Sequence, residues 1–155
     1  MIHTLKQLFD QKLRVSVHNQ DASTAEQAVR VATAALLIET ARADFEFDKM
    51  EREKLDRLIG ETYGLSKQER RELIQIAEAE VEASVSLDQF TRLLDRNLSP
   101  TQKRRVMELL WEVALADGRI DKYEEYLIRK LADLLHVSHK VFISAKLSAT
   151  EKGKE

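Results

Sequence analysis

The stretch ALADGRIDKYEE, residues 114–125, contains the end of one helix, a sharp turn and the start of a second helix. Asp121 and Glu124 have the spacing of a capping box. In that motif the first side chain accepts from a backbone amide of the new helix, and the second accepts from the amide of the cap residue. Gly118 provides the backbone freedom that a tight turn requires. The stretch therefore predicts a helix–corner–helix unit with several carboxylates at its corner.

A related stretch, ARADFEFDKMER, occupies residues 41–52 and has the same acidic spacing. When residues 36–58 are aligned with residues 109–131, the identical pairs include Asp44/Asp117, Asp48/Asp121 and Glu51/Glu124. Unrelated helices share leucines and alanines easily, but they seldom share the core A-D-x-x-x-D-K-x-E. The alignment therefore predicts an internal two-fold repeat of the helix–corner–helix unit.

Capping signals also mark the starts of the other helices. The capping-box spacing occurs at Ser23/Glu26, Asp48/Glu51, Ser66/Glu69, Ser86/Gln89, Ser99/Gln102 and Asp121/Glu124. Pro100 follows Ser99 at the first helical position, where its missing N–H is tolerated, and Ser138 precedes a last helix without a reciprocal acid. Apolar residues recur at helical spacing after these starts. We expect helices near residues 2–12, 24–43, 49–62, 67–83, 87–97, 100–116, 122–135 and 139–148.

This pattern predicts an all-α, single-domain helical bundle of seven to eight helices with short connections. An N-terminal segment with a short helix is expected over residues 1–22, and the helical domain over residues 23–148. Residues 149–155 are expected to form a disordered tail.

Composition narrows the class of protein. The 155 residues are 43% hydrophobic and 34% charged, with a net charge of −2 and acidic and basic residues interspersed. This balance argues against a nucleic-acid partner, and the absence of a long apolar run argues against direct membrane insertion. The chain has no cysteine, which excludes disulfides and thiolate metal sites. We expect a cytoplasmic protein.

Other ionisable residues carry no recognisable chemistry. The four histidines lack the spacing of a zinc set and are expected at surfaces or helix ends: His3, His18, His136 and His139. The alternating Glu78, Glu80 and Glu82 are expected to fan around a helix surface. No nucleophile elbow and no glycine-rich phosphate loop is present.

Each corner groups three carboxylates beside a helix N-terminus, and two interpretations stay open. In the first, the acids cap helices and lock the turns. In the second, they hold a hard cation such as calcium or magnesium, which prefers carboxylate and carbonyl oxygens. The EF-hand pattern fails at both corners, because Lys49 occupies its glycine position and Leu55 its terminal glutamate position, while the second corner ends on Ile128.

The two corners, with a helix followed by A-D-G-x-[IV]-x-x-x-E in duplicate, resemble the TerB-like (tellurite-resistance TerB) family over roughly residues 24–148. Phe45 replaces the motif glycine in the first copy. The resemblance implies an all-helical bacterial domain, associated with tellurite and stress phenotypes, without a transferable enzymatic activity. It also implies a divalent cation, such as calcium, as the one candidate cofactor. Carried over residue by residue, the implied ligands are Asp44, Asp48, Glu51, Asp117, Asp121 and Glu124.

The sequence thus favours a non-enzymatic TerB-like module whose acidic corners bind a divalent cation within stress-response assemblies. The alternative is an ion-independent helical domain, of the protein–protein interaction or co-chaperone type, whose acidic face recruits a basic or membrane-tethered partner. Both interpretations include a protein partner, and neither fixes the oligomeric state.

Overall fold

A computed structural model describes residues 24–43, 49–116 and 118–153. These residues form seven helices and no strand. The helices are α1 (Thr24–Ala41), α2 (Lys49–Tyr63), α3 (Lys67–Ala83), α4 (Asp88–Asn97), α5 (Pro100–Ala114), α6 (Lys122–Leu134) and α7 (His139–Gly153). The all-α prediction is confirmed, whereas the short helix expected near residues 2–12 lies outside the described residues.

Side-chain caps explain why several helices begin where they do. Ser66 Oγ accepts from Glu69 N at 3.2 Å, and Glu69 Oε1 accepts from Ser66 N at 2.9 Å. The same reciprocal pair joins Ser99 and Gln102, with Pro100 in the first turn of α5. Each cap satisfies amide groups that a helix start leaves without a partner within the helix. These capping predictions are confirmed, and Ser138 Oγ also accepts from Val141 N at 3.3 Å before α7.

Two sequence predictions are wrong. The predicted cap of α4, Ser86, lies one residue before the observed cap residue, Leu87, which makes no side-chain cap bond. Ser86 Oγ instead accepts from Asp88 N at 3.3 Å. The final helix also continues to Gly153, so residues 149–153 are helical rather than part of a disordered tail. Ala149 is 1% exposed, and its packing in the core extends the helix beyond the capping and charge signals.

The core is built around α1 and α5. Eleven of the eighteen residues of α1 are buried, and this helix packs against α2, α3, α4, α5 and α6. The fifth helix packs against α1, α2, α6 and α7. Trp111 on α5, which aligns with Ile38 in the repeat, is fully buried, and its ring meets Phe142 of α7 edge-on with the ring centroids 5.2 Å apart.

The turns that follow α2 and α6 have the same backbone design. The first unit has one extra residue before this turn, so YGLS (63–66) aligns with LHVS (135–138) and Gly64 with His136. Gly64 has a φ of 64°, and His136 has a φ of 61°. In each turn the next residue donates its amide to a carbonyl five residues back: Leu65 N to Gly60 O at 3.1 Å, and Val137 N to Ala132 O at 2.9 Å. This left-handed turn satisfies helix-end carbonyls and redirects the chain into the next helix.

None of the described helices has both the length and the apolar character needed to cross a bilayer.

Candidate functional site

The second acidic corner begins where α5 ends. Leu115 N donates to Trp111 O at 2.9 Å, and Gly118 N donates to Leu115 O at 2.9 Å, so the chain turns tightly after the last helical residue. Gly118 has a φ of 90°, which L side chains rarely adopt, and a Cβ added there would meet nothing within 4 Å. The backbone conformation, rather than a lack of space for a side chain, therefore favours glycine at position 118.

Asp121 and Glu124 form the predicted capping box at the start of α6. Asp121 Oδ1 accepts from Tyr123 N at 2.7 Å, and Glu124 Oε1 accepts from Asp121 N at 3.3 Å. Both carboxylates thus lie beside the positive end of the helix dipole, which stabilises negative charge. The structural interpretation of these two acids is confirmed.

Glu51 and Glu124 share a second property. Glu124 is 3% exposed, and Glu51, at the aligned position in the first turn of α2, is 2% exposed. Glutamate is rarely buried to this extent, because the ionised group loses its hydration and requires compensating donors or positive charge. Each acidic corner therefore contains one buried glutamate, and the two glutamates occupy equivalent positions in the two units.

Half of the predicted ligand set can be located. Glu51, Asp121 and Glu124 are described, whereas Asp44, Asp48 and Asp117 lie outside the described residues. Within the ranges that the structure describes, no group of three or more acidic or histidine side chains is arranged to hold a metal ion.

The flanks of the two corners do meet. Met50, in the first turn of α2, and Ala116, just after α5, line one cavity of about 310 Å³. Leu115 and Glu112 of the α5 segment line it as well. The entrance to α2 and the exit from α5 therefore lie at the same end of the bundle.

Positive side chains around this cavity were missed by the sequence reasoning. Lys54 and Arg57 of α2 and Lys152 of α7 line it beside Glu53 and Glu112. The spacing Met50, Glu53, Lys54, Arg57 places those residues on one face of α2, and this pattern is readable in the sequence. Lys152 could not have been found in this way, because it lies in the segment expected to be a tail.

Glu80 also differs from its prediction. It lies on α3, is fully buried instead of exposed, and neither of its carboxylate oxygens has a hydrogen-bond partner in the described residues. Burial raises the pKa of its carboxyl group. The alternating glutamates suggested a surface, but the residue follows Ile76 and Ala77 on the packed face of the helix.

The two described histidines lie at helix ends, as expected: His136 follows α6 and His139 begins α7. His136 Nδ1 lies 3.1 Å from Asp95 Oδ1, and the His139 ring stacks on Phe142 at 5.8 Å. Lys103 Nζ contacts the same Asp95 oxygen at 2.5 Å. Hydrogen bonds from Lys103 and His136 lower the pKa of the Asp95 carboxyl group. This cluster joins α4 and α5 to the turn after α6 and does not resemble a zinc site.

Comparison with known protein families identifies a family for this chain. The family model described as tellurite resistance protein TerB matches residues 30–147, which include both helix–corner–helix units. The comparisons with curated proteins and with solved structures gave no significant match.

Proposed function

The chain belongs to the TerB family, and on that basis we propose that it is a non-enzymatic module whose two acidic corners bind a divalent cation, such as calcium, within stress-response assemblies. The observation that carries this proposal is the burial of Glu51 and Glu124, which are 2% and 3% exposed at equivalent positions. Coordination of a cation is one of the ways in which a protein compensates a buried carboxylate, and it would act beside the contacts that these side chains already make.

Ligand number favours one site built from both corners. Calcium takes six to eight oxygen ligands, whereas one corner supplies at most three carboxylates. The shared cavity wall of Met50 and Ala116 supports this arrangement, because the flanks of the two corners lie at the same end of the bundle. Asp117 and Asp121 from one corner would then combine with Asp44 and Asp48 from the other.

A binding role fits the sequence better than a catalytic one. The chain contains no nucleophile elbow and no glycine-rich phosphate loop. Its notable carboxylates are placed at helix starts, where they stabilise structure and can ligate a cation. The tellurite or stress link rests on family membership alone.

Calorimetric titration of calcium into metal-stripped full-length protein tests the proposal. We expect saturable binding that is lost in Asp117→Asn and strongly weakened in Asp121→Asn. Asparagine is as good an N-cap as aspartate, so Asp121→Asn should keep the helix start and the melting temperature. Asp133→Asn is the matched control, because it removes an exposed carboxylate from α6 away from the corner. Parallel titrations with magnesium and manganese measure the selectivity of the site for calcium.

Two outcomes would overturn the cation proposal. One is the absence of calcium binding in the millimolar range, the weakest range in which protein calcium sites operate. The other is unchanged affinity in both corner variants, since that result would place the ion elsewhere.

A second candidate function is ion-independent recruitment of a basic or membrane-tethered protein partner. It is favoured by Tyr123 and Tyr126 on α6, which are 53% and 70% exposed beside the second corner. Exposed tyrosines combine apolar contact area with a hydrogen-bonding group and are enriched at interfaces. Photo-crosslinking from position 126, with and without chelator, distinguishes the two candidates: ion-independent recruitment requires the same crosslinked partner in both conditions.

A further inference from the structure

The cavity of about 310 Å³ has three walls from different parts of the chain. One face of α2 forms the first wall, the end of α5 and the residues after it form the second, and the last turns of α7 form the third. The lining residues in the described part of the chain are Met50, Glu53, Lys54, Arg57, Glu112, Leu115, Ala116, Ala149 and Lys152. The volume lies at the lower end of the range for small-molecule pockets.

Two positively charged side chains that line the cavity have no acidic partner among the described residues. Lys54 is partly buried and Arg57 is exposed, and neither forms an ion pair with a described residue. They lie three residues apart on one face of α2, where like charges repel each other. A bound anion would relieve this repulsion, and the guanidinium of Arg57 can accommodate a carboxylate or phosphate with two parallel hydrogen bonds.

The acids of the cavity are already matched by positive charge. Glu112 is 6% exposed, with Oε2 at 3.6 Å from Arg105 Nη1 and Oε1 at 3.6 Å from Lys152 Nζ. Glu53 Oε1 lies 3.9 Å from Lys49 Nζ, and both side chains are exposed. Among the side chains that line the cavity, three are positive and two are negative, so the lining carries a net positive charge although the whole chain carries a net charge of −2.

The rest of the lining is apolar. Ala149 is buried, Leu115 is partly buried against the core, and Met50 is 56% exposed. A thioether side chain adapts its shape to different apolar groups. The cavity thus offers positive charge and a small apolar surface side by side.

We propose that this cavity binds a small organic anion, with a carboxylate or phosphate head group on a short apolar body. The head group contacts Lys54 and Arg57, and the apolar body packs against Met50, Leu115 and Ala149. This site does not depend on the proposed cation site, because none of these residues is one of the proposed cation ligands.

Amide NMR with three matched probes tests this proposal on full-length, metal-stripped protein in a buffer free of phosphate and divalent ions. The probes are hexyl phosphate, uncharged 1-hexanol and hexylammonium, which share the same apolar body. We expect saturable shifts from hexyl phosphate at residues 50–57, 115–116 and 149–152, with a dissociation constant of about 1 mM. The other two probes should shift these amides at least about tenfold less at equal concentration, the effect of losing about 1.4 kcal/mol of charge-assisted contact.

The charge-neutralising variant Lys54→Gln/Arg57→Gln should weaken hexyl phosphate binding at least about tenfold. Lys130→Gln/Lys140→Gln is the matched control, because it makes the same change of charge at exposed positions on α6 and α7. Circular dichroism verifies that both variants are folded. Equal binding of hexanol, absence of saturable shifts, or an equal loss of affinity in the control variant would each overturn the proposal.

Discussion

The two helix–corner–helix units, residues 36–66 and 109–138, are similar where the backbone dictates the structure and differ where neighbouring helices pack on them. Their corner glutamates, Glu51 and Glu124, are both buried, and their second helices end in the same left-handed turn. Ile38 and Trp111 occupy aligned positions and are both fully buried. The shared features come from local rules of helix capping and turn geometry.

The difference lies in what covers the first helix of each unit. Glu39 on α1 has a side chain 32% exposed, and its carboxylate lies 4.0 Å from the Arg42 guanidinium. Glu112, its aligned counterpart on α5, has a side chain 7% exposed because Arg105 and Lys152 contact it. The final helix, which has no counterpart in the alignment of residues 36–58 with 109–131, supplies Lys152. A repeated sequence can therefore acquire a different environment from a helix added outside the repeat.

The largest expected effect comes from the aligned positions 38 and 111, where the buried side chains of the two units differ in volume. Trp111→Ala should lower the free energy of unfolding by about 3–5 kcal/mol, since it removes a buried indole and its contact with Phe142. Ile38→Ala should cost less, because a smaller side chain is removed. Urea denaturation measures both values, and an equal or larger cost for Ile38→Ala would contradict the asymmetry.

The corner backbone gives the next largest effect. Gly118→Ala should destabilise the protein by about 1–2 kcal/mol, because alanine is strained at a φ of 90°. The open space around the glycine means that the cost arises from the backbone and not from a clash. Thermal melts with Lys140→Ala as an exposed control measure this cost, and an unchanged melting temperature for Gly118→Ala would refute the turn assignment.

A capping comparison separates the corner from an ordinary helix start. Asp121→Ala and Ser66→Ala each remove the first member of a capping box, and each should cost about 1 kcal/mol without metal. Added calcium should stabilise the parent protein and Ser66→Ala, because both keep the corner acids, but not Asp121→Ala. Equal stabilisation of all three proteins by calcium would contradict the role of Asp121 as a ligand.

The smallest effect is pH-dependent and involves the second unit through His136, because the first unit has Gly64 at the corresponding position of its turn. Hydrogen bonds from Lys103 and His136 lower the pKa of Asp95, so the folded state favours its ionised form. This contribution is present above the ordinary pKa of 3.8 and is lost as the pH falls through the lowered pKa.

Melting temperatures of the parent protein should therefore fall more steeply with acidification through this window than those of Asp95→Asn. Parallel pH profiles for the two proteins would show that Asp95 contributes nothing.

The sequence predicted those parts of the fold that depend on local chemistry. Capping boxes located the starts of α3, α5 and α6, because a Ser or Asp followed by Glu or Gln satisfies amides within four residues of chain. The start of α4 was placed incorrectly, because no side chain caps it and packing sets its position. The extension of α7 to Gly153 was missed for a similar reason, since Ala149 is buried by distant parts of the chain.

The candidate site was predictable only in part. The caps of Asp121 and Glu124 follow from their spacing, but the burial of Glu51 and Glu124 depends on tertiary packing. The cavity depends on α2, α5 and α7 converging, which no single stretch encodes. The burial of Glu80 could not be predicted either, because an alternation of glutamates does not show which of them faces a neighbouring helix.

The most direct test of the central claim is a calcium titration of metal-stripped protein followed by amide NMR. If one cation joins the two acidic corners, the amides of residues 44–51 and 116–124 should shift together and saturate with a single dissociation constant. Saturation should be reached below about 10 mM calcium, because even the weakest calcium sites of proteins have dissociation constants of about 1 mM or less. Shifts confined to one corner, or none that saturate, would contradict the account and leave the carboxylates as helix caps.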